Sequence, residues 1–169
     1  FLVPLATQQT RLLFEAARHR NQGVELPLRT VFGHAVDAMT AADVVLVASG
    51  TASLEAALLK RPMVITYRMG KWQYRLMKRM AYLPWVGLPN ILCRETVVPE
   101  LLQDAATPEA ITEAMAAWLE DPPRRRALEA RFLALHLTLR QDTAERAAAA
   151  ILPYLGKAHA SCPPSARTA

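Results

Sequence analysis

The sequence predicts an α/β fold, a parallel sheet with helices on both faces, and three observations predict it. The runs Val44-Val45-Leu46-Val47 and Met63-Val64-Ile65-Thr66-Tyr67 are apolar without alternation, as strands buried on both sides are. Segments of helical periodicity lie between the strand-like runs, the order from which parallel sheets with right-handed crossovers are built. The chain has 169 residues, 52% of them hydrophobic, which is one domain's length with a core of its own.

Each element follows from local signals. Residues 1–6 read as a strand, and 7–20 as a helix with Leu12, Leu13, Ala16 and Ala17 on one face. Asn21-Gln22-Gly23 stops that helix. A short strand at 29–32 and a short helix at 35–42 precede the strand 43–48 and the helix 51–60. Pro62 then breaks the chain before the strand 63–67. Residues 70–82 form a basic aromatic helix, and 84–90 a stiff loop with two prolines and a glycine, ending on Asn90. From Glu95 the chain reads as helical to 155. Thr107 is an N-cap with Pro108 at the first helical position, and Asp121-Pro122-Pro123 is a stop. Residues 124–155 make one long or two shorter Ala/Leu-rich helices, and the small, Pro-rich stretch 156–169 is expected to be a disordered tail. There is no internal repeat.

Composition narrows the function. Phe1-Leu2-Val3-Pro4-Leu5 is too short for a membrane span and lacks a signal peptide's basic start. With no initiator Met, it reads as a strand from inside a longer protein. Cys93 and Cys162 are far apart, and the four histidines show no ligand spacing, so neither a disulfide framework nor a metal site is expected, and a reducing cytoplasm is. The net charge of +5 is local: residues 56–94 hold eight Lys or Arg and no acid, whereas acids lead on both sides of that stretch. A local anionic surface or ligand is the matching partner.

The stretch Ala-Ser-Gly-Thr-Ala-Ser-Leu-Glu, residues 48–55, carries most of the chemistry. Gly50 permits a tight turn at the end of a strand. The small residues after it leave the first N–H groups of a helix uncovered, which suits an anion. Glu55 lies about one turn further on, placed to accept from a sugar hydroxyl beside that anion. Diphosphate plus ribose, a nucleotide, fits such a corner; an ordinary strand–turn–helix joint has the same sequence requirements. Ser49, Gly50 and Thr51 lie at the carboxyl ends of the strands, where ligands of such sheets bind, as do Arg68 and Met69. Asn90 is a candidate ligand contact or a turn former, and His34 a candidate contact or a loop cap. Lys71, Arg75 and Lys78, with Arg79 beside them, share one face of the helix 70–82; Trp72, Leu76, Met80 and Leu83 share another. That pattern suits a membrane surface or an anionic head group, and equally a core helix with a solvated face.

Taken together, 48–55, Pro62-Met63-Val64 running into Tyr67-Arg68-Met69, and Leu88-Pro89-Asn90 resemble the C-terminal part of the lipid-A-disaccharide synthase family of glycosyltransferases, in the family's order and spacing. The resemblance implies a GT-B fold of two Rossmann-like halves. Residues 1–155 would form the donor-binding half with trailing helices, and the N-terminal acceptor half would be missing. The family joins UDP-2,3-diacylglucosamine to 2,3-diacylglucosamine 1-phosphate (lipid X) with inversion and releases UDP, without metal or other cofactor.

By resemblance, the backbone N–H groups of Gly50, Thr51 and Ala52 contact the diphosphate, with Ser49 and Ser53 supporting, and Glu55 holds the ribose. Asn90 matches a functionally important asparagine, and Arg68 meets phosphate or leaving-group charge. The general base belongs to the missing half; Asp37 and Asp43 look like residues beneath the site. Lys71, Trp72, Arg75, Lys78 and Arg79 would touch lipid, placing a cytoplasmic, peripheral enzyme on the inner face of the bacterial inner membrane. The chain alone should bind nucleotide weakly at best and not turn over, and its Ala/Leu face at 124–155 should favour self-association. Two other readings remain. A peptidoglycan-precursor UDP-N-acetylglucosamine transferase would bring Gly-rich segments to this half, and the chain has six glycines in all. A non-catalytic module would use the basic patch on membrane or nucleic acid. Nucleic acid is disfavoured, because the basic and aromatic residues are confined to one helix.

Overall fold

The computed structural model describes residues 1–21, 26–80 and 82–158, with side chains in the last helix as far as Leu155. Strand β1 (Leu2–Leu5) leads into helix α1 (Gln8–Arg20), which Thr7 opens with a reciprocal pair: its Oγ1 accepts from the Thr10 N–H, and Thr10 Oγ1 accepts from the Thr7 N–H. Then come β2 (Arg29–Phe32), α2 (Ala35–Ala41), β3 (Val45–Ala48), α3 (Thr51–Leu58), β4 (Met63–Tyr67), α4 (Lys71–Met80) and α5 (Leu88–Cys93). β5 (Glu100–Leu102) and a single 3₁₀ turn (Gln103–Ala105) precede α6 (Pro108–Glu120), α7 (Pro122–Leu139) and α8 (Thr143–Ala158). The chain divides into two compact units, Phe1–His136 and Leu137–Ala169.

All strand pairs are parallel, as expected, but they make two sheets. β1 pairs with β2, in register from Leu2 opposite Arg29 to Leu5 opposite Phe32. The other sheet has the order β3-β4-β5, with Ala48 opposite Thr66 and Tyr67 opposite Leu102. β4 is central, and Met63, Val64 and Ile65 are fully buried, which explains their unbroken apolar run. In β3 only Val45 and Val47 face inward, while Leu46 is exposed, so this strand is covered on one face rather than both.

The core lies between β3–β5 and helices α3, α6 and α7. Ala56 and Ala57 are small enough to bring α3 close to it. Trp118 of α6 is buried with its indole N–H donating to the Met63 carbonyl at 3.1 Å. The Arg124 guanidinium lies over that ring, 4.1 Å from its centroid. Phe132 and Leu128 of α7 complete the core. The 124–155 region is therefore two helices, and the first places apolar residues in this chain's own core instead of leaving its whole face uncovered.

Several boundaries differ from the sequence reading. The stretch expected to be a tail from 156 is helical as far as Ala158, where α8 ends; residues 159–169 lie outside the described residues, as do Gln22 and Gly23 of the helix stop. The span after Glu95 is not wholly helical, since β5 interrupts it. Asn90 does not end a loop but sits inside α5, started by Pro89 in its first turn. Leu12 and Leu13 share a face of α1 that nothing in the described chain covers, and α1 has no buried residue.

Candidate functional site

Parallel register brings the carboxyl ends of β3, β4 and β5 to one edge, and this is where the site assembles. Ser49 continues the ladder by donating its N–H to the Thr66 carbonyl at 3.2 Å, which sets the Gly50 corner beside Arg68 at the end of β4. Gly50 has φ +149, a conformation side chains resist, and a Cβ built there would meet nothing within 4 Å. Space therefore lies open directly in front of the turn. Gly50 is the N-cap of α3 and offers no side-chain cap, so the N–H groups of Thr51 and Ala52 are free helix ends. The N-terminal end of the helix dipole adds positive potential there.

The two serines of this corner serve the turn. Ser53 is fully buried; its hydroxyl donates to the Gly50 carbonyl at 2.6 Å and its N–H to the same oxygen at 3.2 Å. Ser49 is half-buried and donates its hydroxyl to the Val86 carbonyl at 3.0 Å, tying the corner to the 84–87 loop. Glu55, one turn into α3, is exposed, as are Thr51 and Arg68. Neither Glu55 nor Arg68 forms an ion pair among the described residues.

Asn90 stands apart from this open group. It is 0% exposed, and all its polar capacity is used by residues 97–100. His34 and Asp37 lie at the other sheet, where His34 precedes α2 with φ +52 and its Nδ1 sits 2.9 Å from Asp37 Oδ2. Asp43 precedes β3 and so lies at the opposite strand end from Ser49. Among the described residues, no group of three or more His, Cys, Asp or Glu is placed to hold a metal.

The α4 helix is amphipathic, as its spacing predicted, yet neither stripe is covered. Only Tyr74 and Met77 are half-buried; Trp72 is 82% exposed, and Leu76 and Met80 are exposed too. Lys71, Arg75, Lys78 and Arg79 form no ion pair among the described residues, and Arg75 lies over Trp72, 5.7 Å from the ring centroid. Among the described residues nothing covers the Trp72–Leu76–Met80 stripe. Among the described residues, no helix is long and apolar enough to cross a membrane.

Two residues at this edge escaped the sequence reading. Glu100 accepts N–H groups from the 85–90 segment. Gln103, directly after β5, has φ +54, receives the Met69 N–H on its Oε1 at 3.4 Å, and keeps a buried amide nitrogen without a partner. No motif marks either; only the strand register puts them beside Arg68 and the loop.

Against this geometry, comparison with known proteins is decisive for the family. The sequence model described as lipid-A-disaccharide synthetase matches residues 1–152. The chain belongs to that family. It is 74% identical over 164 residues to the lipid-A-disaccharide synthase of Azoarcus sp. (strain BH72), covering 97% of this chain and 42% of that protein. The Aromatoleum aromaticum synthase is 73% identical over 157 residues, covering 93% of this chain and 40% of its own length. For Dechloromonas aromatica the identity is 59% over 155 residues, covering 92% and 41%. The chain thus spans about two fifths of the length of these curated relatives.

Proposed function

We propose that this chain is the donor-binding part of a glycosyltransferase that condenses UDP-2,3-diacylglucosamine with lipid X, giving lipid A disaccharide 1-phosphate and UDP. The observation that carries the reading is the uncapped start of α3 behind Gly50, open to solvent at the carboxyl edge of a parallel sheet, in a chain of this family. The diphosphate would lie on the N–H groups of Gly50, Thr51 and Ala52, with Glu55 on the ribose. As the glycosidic bond to UDP breaks, negative charge grows on the diphosphate. A helix N-terminus and the unpaired Arg68 are suited to receive it. The acceptor site and general base would come from the remainder of the protein, so residues 1–155 bind donor without completing the reaction.

The exposed α4 stripe with its four unpaired cations supports a peripheral position on an anionic membrane face, where both acylated substrates reside. For the peptidoglycan-precursor alternative, the relatives' names speak against it. The exposed Ile151, Leu152 and Leu155 of α8 are the residues we would assign to self-association.

Calorimetry of this chain with UDP and with ADP tests the donor reading. Saturable binding that prefers UDP and vanishes in Gly50→Trp, whose ring would fill the open space, is the expected result. Equal affinity in wild type and Gly50→Trp would contradict it.

A further inference from the structure

A dense polar cluster joins the 84–90 segment to β5, and Glu100 is at its centre. One carboxylate oxygen accepts the Val86 N–H at 2.9 Å; the other accepts the Gly87 N–H at 3.0 Å and the Asn90 side-chain amide at 2.7 Å. Asn90 donates its second amide hydrogen to the Val98 carbonyl at 2.9 Å, and its oxygen accepts from the N–H groups of Val97 at 2.8 Å and Val98 at 3.0 Å. An amide side chain offers two donor hydrogens and two lone pairs, so Asn90 has none left for a substrate.

Val86 links the cluster to the nucleotide corner. It donates its N–H to Glu100 and accepts the Ser49 hydroxyl on its carbonyl, and Ser49 is the residue before Gly50. The fit is tight. A Cβ on Gly87 would lie 2.4 Å from Ile65 Cδ1 and 2.9 Å from the Glu100 carboxylate. Trp85 adds a third tie, its indole N–H donating to Thr96 Oγ1 at 2.8 Å. Three N–H donors converge on Glu100, and only an ionised carboxylate can accept from all of them without presenting a hydrogen of its own.

We propose that Glu100 is the positioning residue of the donor site. Its carboxylate seats the 85–87 peptides against Ser49 and so holds the Gly50 turn open for the diphosphate. Asn90 is the second half of this clamp and acts through it, not by touching substrate. The inference rests on the nucleotide reading above.

The test compares wild type, Glu100→Gln, Gly87→Ala and Ser49→Ala in the 169-residue chain, below the melting onset of each. UDP affinity is read by calorimetry and amide hydrogen exchange at Val86, Gly87, β3 and β4. Glu100→Gln keeps the shape but turns an NH₂ toward donors. It should weaken UDP roughly tenfold, about the contribution of one hydrogen bond. Exchange at Val86 and Gly87 should rise while β3 and β4 stay protected. Gly87→Ala, which displaces the loop with Glu100 and Asn90 intact, should give a loss of the same order. Ser49→Ala cuts only the last link and should give a smaller one.

Wild type that binds UDP, with unchanged affinity in every variant that folds, would overturn the proposal and leave the nucleotide reading standing. No UDP binding by wild type would remove the nucleotide reading and the proposal with it. Should Glu100→Gln fail to fold, Gly87→Ala and Ser49→Ala decide by the same criterion.

Discussion

The 85–100 clamp and helix α4 are neighbours in sequence, and they are built in opposite ways. In the clamp, Asn90 is buried with its donors and acceptors saturated by its own chain. In α4, Trp72, Leu76 and Met80 stand in solvent beside four cations without ion pairs. A segment whose groups are consumed internally fixes geometry, whereas one that leaves apolar and charged groups unused has an external surface to meet. α1 and the exposed Phe32 of β2 resemble α4 in this respect.

Substitutions in the two regions should therefore fail differently. Asn90→Ala should have the largest effect on folding, about 3 kcal/mol, because it leaves the N–H groups of half-buried Val97 and buried Val98 unsatisfied; denaturant melts measure it. A loss under 1 kcal/mol would mean that water replaces the clamp. Replacing Lys71, Arg75 and Lys78 with Gln should weaken binding to anionic vesicles by about 1 kcal/mol per residue, with the melt unchanged. Vesicle affinity that ignores these changes would end the lipid-surface reading of α4.

Smaller effects sharpen the contrast. In the intact Azoarcus relative, replacing the residue equivalent to Glu55 with Gln should raise the donor KM or lower kcat/KM, since the side chain is exposed and structurally unencumbered. Unchanged kinetics would remove the ribose role. Leu12→Ser should cost under about 0.5 kcal/mol because that face of α1 is uncovered. A loss of core size in this chain would show that this face of α1 is covered in solution.

How much of this was legible in the sequence depends on how local each signal is. β4 was read to the residue because Pro62 starts it and its unbroken apolar run has no helical period. The Gly50 corner was legible because a small-residue turn after a strand makes one local demand. β5 was missed because three residues within helix-rich composition carry no period, and their pairing with β4 is a long-range event. The apolar stripe of α1 was visible, but periodicity names a face and not what covers it. Glu100 was illegible for the strongest reason: a lone glutamate acquires its role only when three N–H donors converge on it in the fold.

The central claim is that the free N–H groups behind Gly50 hold the nucleotide, and an NMR titration of the isotopically labelled chain with UDP tests it most directly. The account predicts saturable shifts concentrated on the amides of Gly50, Thr51 and Ala52, weaker with ADP. Saturable shifts that bypass these three amides, or none at all, would contradict it.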